Sequence, residues 1–126
     1  MVSLTDILAV AAGGATGAVA RYLCQTALPF LAGQGAATLA VNVTGSLVIG
    51  VVFVLLRHHG AAPIWSLLAV TGFLGGFTTF STFSLDTIRF IEQGQMLRAL
   101  CYAGCMLMLS ILACGTAVCI TQRLLK

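Results

Sequence analysis

Four long apolar segments constrain the fold of this chain more than any other feature. Each holds about 20 residues or more, the length a helix needs to cross the hydrocarbon core of a bilayer. Only six basic and three acidic residues occur among 126, too few to solvate a soluble domain of this size. We therefore predict an all-α membrane protein, residues 1–126 forming a single four-helix transmembrane domain. The predicted helices are Leu4–Leu28, Ala36–Leu56, Pro63–Ile91 and Met96–Ile120.

The remaining composition disfavours several other classes of protein. The basic residues are scattered, so no run of them indicates nucleic-acid binding. An odd number of cysteines, five, does not suggest a disulfide framework. Cys101 and Cys105 are four residues apart and could in principle share a metal, but small apolar packing residues are the favoured interpretation. The pair His58 and His59 is interpreted as a solvated loop. We expect no enzymatic activity.

The distribution of positive charge bears on orientation in the membrane. Short connections between the predicted helices place both termini on one side, and each side then carries three basic residues. They are Arg57, Arg123 and Lys126 on the side of the termini, and Arg21, Arg89 and Arg98 on the other. Equal counts remove the asymmetry that normally sets orientation. Either other cues orient the protein, or copies insert both ways and form an antiparallel homodimer.

The third segment is too long and too polar at its centre for a simple membrane helix. A continuous helix from Pro63 to Ile91 would extend about 43 Å, against a core of about 30 Å. Its centre holds Gly75 and Gly76, followed by five hydroxyl residues interleaved with phenylalanines. This pattern predicts a helix broken at mid-membrane. Broken helices of this kind often bind ions, which we favour over a packing kink with self-bonded hydroxyls.

Polar residues also occur on the neighbouring segments. Thr38, Asn42 and Ser46 are spaced by four and share one helix face, and Tyr102 and Ser110 roughly share another. Each alone could serve helix packing, but together they place hydrogen-bond donors from three helices around the predicted break.

The titratable residues of these segments favour a passive pathway. No basic side chain lies in the deep middle of the second, third or fourth segment. Asp86 and Arg89 lie near one end of the third segment and could pair. Proton-coupled transport usually relies on a deep titratable group, so the pattern favours passive movement of a small ion held by neutral dipoles.

Three motifs resemble those of a known family. They are GGATGAVARY at Gly13–Tyr22, NVTGS at Asn42–Ser46 and GFLGGFTTFSTFS at Gly72–Ser84. The last resembles the signature of the Fluc (CrcB) fluoride channels, and the likeness extends over all four segments. The resemblance implies a fluoride-selective channel that exports F⁻ passively and reduces fluoride toxicity. It further implies a multi-pass protein of the bacterial inner membrane, assembled as a dual-topology, antiparallel homodimer with two pores.

The resemblance also implies roles for particular residues. Arg21 would lie near a vestibule, and the backbone carbonyls of Gly75 and Thr78 from both subunits would bind a structural Na⁺ at the dimer interface. Phe80 and Phe83 would be the paired pore phenylalanines. The implied hydrogen-bonding residues of the pore are Thr38, Asn42, Ser81, Thr82, Tyr102 and Ser110.

Two points remain open at this level. Where some family members carry a hydroxyl, one helical turn after Tyr102, this chain has Met106, which interrupts the line of polar pore residues between Tyr102 and Ser110.

The alternative functions are a proton-coupled small-molecule exporter of the four-helix dual-topology type, with Asp86 as its carboxylate, and a structural membrane subunit without transport.

Overall fold

The computed structural model describes residues 2–27, 33 and 35–126. Within them the chain is helical and contains no strand. Four runs are long and apolar enough to span a membrane, as predicted: Leu4–Ala27, Ala36–His58, Pro63–Glu92 and Met96–Leu124. Leu28, the predicted end of the first span, lies outside the described residues. The elements are α1 (Leu4–Ala27), α2 (Ala36–His58), α3 (Pro63–Ser66), a π-helical segment (Leu67–Leu74), α4 (Gly75–Phe77), α5 (Phe80–Glu92) and α6 (Met96–Leu124).

Tight turns connect the last three spans. Gly60 follows α2 with a φ of 58°, and Gly94 follows α5 with a φ of 73°. Glycine adopts this left-handed conformation without a Cβ penalty, which suits it to the end of a helix. Pro63 then begins α3, a position where its missing N–H costs nothing. Consecutive spans among these three are therefore antiparallel.

Helix α1 packs closely against the first half of the third span through glycines. A Cβ on Gly72 would lie 2.9 Å from the Cα of Gly13, and one on Gly76 would lie 2.5 Å from the carbonyl oxygen of Gly14. A Cβ on Gly17 would overlap the backbone of Phe73. The two pairs of glycines spaced by four thus mark a close helix contact, as such spacing does in membrane proteins.

The third span is interrupted just after its glycine pair. Gly75 and Gly76 are helical, within α4. The extended residues come next: Thr78 has φ −82° and ψ 157°, and Thr79 has φ −149° and ψ 113°. The interruption thus lies at the two threonines that follow the glycines, while Gly76 allows the close approach of α1.

The other half of the molecule is built around α6. Helix α2 runs along α6, and a Cβ on Gly50 would lie 2.6 Å from the Cys114 carbonyl oxygen. Helix α5 packs on the same helix, with Phe90, Tyr102 and Met106 in a buried cluster. This arrangement brings α2, α5 and α6 together beside the interruption at Thr78 and Thr79.

The α1 contact can be tested with two neighbouring substitutions. In Gly13→Ala the new methyl group would overlap the backbone of the third span, whereas in Gly14→Ala its nearest neighbour is 4.0 Å away. Because both gain the same helix propensity, we expect Gly13→Ala to be less stable than Gly14→Ala by about 1–3 kcal/mol, the usual cost of overpacking. Denaturant titration in detergent micelles measures this difference, and equal free energies of unfolding would contradict the packing described.

Candidate functional site

Asn42 of α2 completes the hydrogen bonding of the interruption. Its Nδ2 donates to the carbonyl oxygen of Thr79 at 2.9 Å, and the Thr79 N–H donates to Oδ1 at 2.7 Å. Both residues are buried. The two bonds distinguish the amide oxygen from the nitrogen, and they satisfy backbone groups that apolar surroundings would otherwise leave unpaired.

The Thr79 side chain then caps α5. Its hydroxyl accepts a hydrogen bond from the Thr82 N–H at 3.2 Å, as an N-cap residue does. It also donates to the Thr82 hydroxyl at 3.0 Å and lies 3.2 Å from the Ser81 hydroxyl. Ser81 and Thr82, predicted pore residues, thus belong to this cap. Sequence reasoning missed Thr79, although threonine is among the residues preferred at the position just before a helix.

These bonds free two carbonyl oxygens at the end of α4. In a continuous helix, the Thr79 N–H would bond to the Gly75 oxygen and the Thr82 N–H to the Thr78 oxygen. In this structure the first bonds to Asn42 and the second to the Thr79 hydroxyl. The carbonyls predicted to bind Na⁺ have therefore lost their usual donors, and carbonyls at the C-terminal end of a half-helix suit Na⁺.

A cavity of about 500 Å³ lies beside the interruption. Its walls include four of the predicted pore residues: Asn42, Phe80, Phe83 and Ser110. The rings of Phe80 and Phe83 have centroids 5.3 Å apart and an interplanar angle of 59°. The Ser110 hydroxyl is buried without a hydrogen-bond partner among the described residues. The cavity thus combines an amide, an available hydroxyl and phenyl ring edges, all of which can face an anion.

Asp86, in the middle of α5, organises a second group of polar residues. It is only 5% exposed, and its Oδ2 accepts hydrogen bonds from the Thr38 hydroxyl at 2.9 Å and the Tyr102 hydroxyl at 3.4 Å. Arg89 lies 3.5 Å from Oδ1, which confirms the predicted pairing. Thr38 and Tyr102, predicted to line the pore, thus donate to a carboxylate that had not been assigned to the pore.

The cavity and the Asp86 group adjoin at two side chains. The Phe83 ring centroid is 5.3 Å from that of Phe80 and 5.5 Å from that of Tyr102. Met106 is 6% exposed, lines the cavity and packs in the same buried cluster as Tyr102. Arg21 is half-buried on α1 and is not part of the cavity wall.

Comparison with known proteins identifies the family to which this chain belongs. The sequence profile described as "CrcB-like protein, Camphor Resistance (CrcB)" matches residues 8–118. The chain belongs to the CrcB family. The match extends from α1 to α6 and so includes the interruption, the cavity and the Asp86 group. The CrcB family assignment agrees with the resemblance found in the sequence.

Three similar proteins are each named "Fluoride-specific ion channel FluC". The one from Saccharophagus degradans is 42% identical over 124 residues, covering 97% of this chain and 93% of its own. The one from Rhizobium meliloti is 45% identical over 113 residues, covering 87% and 90%. The one from Shewanella amazonensis is 37% identical over 124 residues, covering 97% of each chain. This CrcB protein therefore matches these channels over nearly its full length.

The Asp86 group predicts a local stability effect. Asp86→Ala would leave the Thr38 and Tyr102 hydroxyls without their acceptor, so we expect a loss of about 1–3 kcal/mol in the free energy of unfolding. Glu92→Ala, at an exposed position on the same helix, is the control and should change it by about 0.5 kcal/mol or less. Denaturant titration in micelles provides both values. Similar values for the two variants would argue against the described hydrogen bonds.

Proposed function

We propose that this CrcB protein is a fluoride channel that lets F⁻ leave the cell passively and so confers fluoride resistance. The observation that carries the proposal is the convergence of Asn42, Ser110 and the rings of Phe80 and Phe83 on one cavity beside the helix interruption. The names of the relatives, at 37–45% identity, support the same function.

The cavity wall has the chemistry that fluoride conduction requires. A small anion loses strong hydration on entering the membrane, so it needs compensating donors. Asn42 and Ser110 carry such donors, and phenyl edges are the positive part of the ring quadrupole. Among the described residues, no cationic side chain lines the cavity. The anion is therefore stabilised without a full charge that would hold it too tightly to conduct.

We further propose that the working unit is an antiparallel homodimer of the bacterial inner membrane, with two pores. Phe80 lines the cavity but is 78% exposed in a single chain, and Ser81 beside it is also exposed. A second copy would cover both residues. The equal numbers of basic residues near the two ends of the spans support insertion in both directions.

A structural Na⁺ at the interface of the two copies belongs to the same proposal. The carbonyl oxygens of Gly75 and Thr78, which have lost their helical donors, would bind it from each subunit. The ion would supply a positive charge close to the two interruptions. Asn42 and the Thr79 hydroxyl bind the two N–H groups that would otherwise bond to these carbonyls, and so leave the carbonyls free for the ion.

Five further residues are proposed to belong to the fluoride path. We place Arg21 near a vestibule, and Thr38 and Tyr102 toward the end of the fluoride path. Ser81 and Thr82 would lie near its centre. At Thr38 and Tyr102, fluoride would compete with Asp86, the present acceptor of both hydroxyls.

Purified protein in liposomes tests the proposed function. We expect the wild type to release trapped F⁻ without a proton gradient, and chloride much more slowly. Phe80→Ile and Phe83→Ile remove the ring edges and should each slow fluoride release about tenfold, near the upper range of an aromatic contact. An ion-selective electrode measures the rates.

Phe53→Ile is the matched control, because Phe53 is on α2, is 49% exposed and does not line the cavity. It should leave fluoride release unchanged. A wild type that releases no fluoride would contradict the channel and favour a structural subunit. Transport that requires a proton gradient and is lost in Asp86→Asn would favour the exporter.

Cysteine labelling tests the dual topology separately. In a variant without native cysteines, His59→Cys and Gln93→Cys each place one exposed thiol at an opposite end of the spans. We expect a membrane-impermeant maleimide, added outside cells, to label about half of the copies at either position, because both orientations are present. A single orientation would give full labelling at one position and almost none at the other.

A further inference from the structure

The carboxamide of Asn42 makes three hydrogen bonds of unequal strength. Two join it to the N–H and carbonyl oxygen of Thr79, at 2.7 and 2.9 Å. In the third, Nδ2 donates its remaining hydrogen to the Sδ of Met106 at 3.5 Å. A thioether sulfur is a weak acceptor, so the third bond is the easiest to give up. The first two support the helix interruption and would be costly to lose.

The third bond lies at the wall of the cavity. Met106 and Asn42 both line it, together with Phe80 and Phe83. Met106 is 6% exposed. It precedes Ser110 by one helical turn, and the Ser110 hydroxyl has no hydrogen-bond partner within the part of the chain that the structure describes. The Asn42 side-chain hydrogen that bonds to the Met106 sulfur is therefore the part of Asn42 available to an anion in the cavity.

We propose that Met106 is a positioning residue for fluoride: its sulfur holds the second amide hydrogen of Asn42 until fluoride takes that hydrogen over. This inference rests on the proposed channel function. An anion forms a stronger hydrogen bond than a neutral acceptor does, so the exchange favours fluoride. The Met106 side chain has three rotatable bonds and can move aside. The bonds to Thr79 stay in place throughout, so the helix interruption is not disturbed as the ion passes.

Two substitutions change the acceptor in opposite directions. Met106→Leu nearly conserves the volume but removes the acceptor, so fluoride no longer competes for the amide hydrogen. The half-saturating fluoride concentration should fall about threefold. Met106→Gln can place a strong carbonyl acceptor near the amide, and the half-saturating concentration should rise about tenfold.

The experiment measures fluoride release from liposomes over a range of fluoride concentrations. The half-saturating concentration does not depend on how much protein is correctly folded, whereas the maximal rate does. Met108→Leu and Met108→Gln are matched controls, because Met108 is on the same helix, is 57% exposed and does not line the cavity. Both should keep the wild-type half-saturating concentration.

The outcomes separate this inference from the proposed function. If the wild type conducts and neither Met106 variant shifts the half-saturating concentration, the role of Met106 is wrong and the channel stands. If both variants raise it equally, Met106 contributes packing alone, which also overturns the inference. If the wild type does not conduct, both proposals fail. Where Met106→Gln does not fold, Met106→Leu decides alone, by the presence or absence of the expected fall.

Discussion

The paired hydrogen bonds between Asn42 and Thr79 are the interaction on which the rest of the site depends. In apolar surroundings an unpaired backbone group costs several kcal/mol, so a helix can be interrupted only where other groups replace its lost bonds. Asn42 supplies a donor and an acceptor to the same residue. By holding the Thr79 N–H, it also withholds that donor from Gly75. One side chain thus stabilises the interruption and leaves a carbonyl free beside it.

The polar groups close to the interruption fall into two sets with different electrostatics. Around Asp86, a buried carboxylate is balanced by Arg89 and two hydroxyls. Around the cavity the described groups are neutral. Phe83 and Met106 lie where the two sets adjoin. A cavity without charged groups suits a pathway in which an anion must bind and also leave. The neutral Met106 sulfur, a weak acceptor, is part of this cavity wall.

Much of the fold was predictable, because each span shows its length and apolar character locally. Asp86 and Arg89, three residues apart on one helix, likewise predicted a pair. The position of the interruption was not predictable from glycine content, because Gly76 is occupied by its contact with α1. Nor did helix spacing reveal that Thr38 and Asn42, on one face of α2, bond to different partners. Periodicity identifies a face of a helix, but the neighbouring helix determines what that face contacts.

The sequence by itself determined the class of protein, its four spans and which polar side chains the membrane interior must accommodate, because hydrophobicity and length act along the chain. Only the tertiary structure decided how those side chains pair. The deciding contacts join residues 48, 37 and 64 positions apart, in the bonds from Thr38 to Asp86 and from Asn42 to Thr79 and Met106. Such pairs depend on how each helix is rotated and packed against its neighbours, and the spacing of residues within one helix carries no record of that rotation.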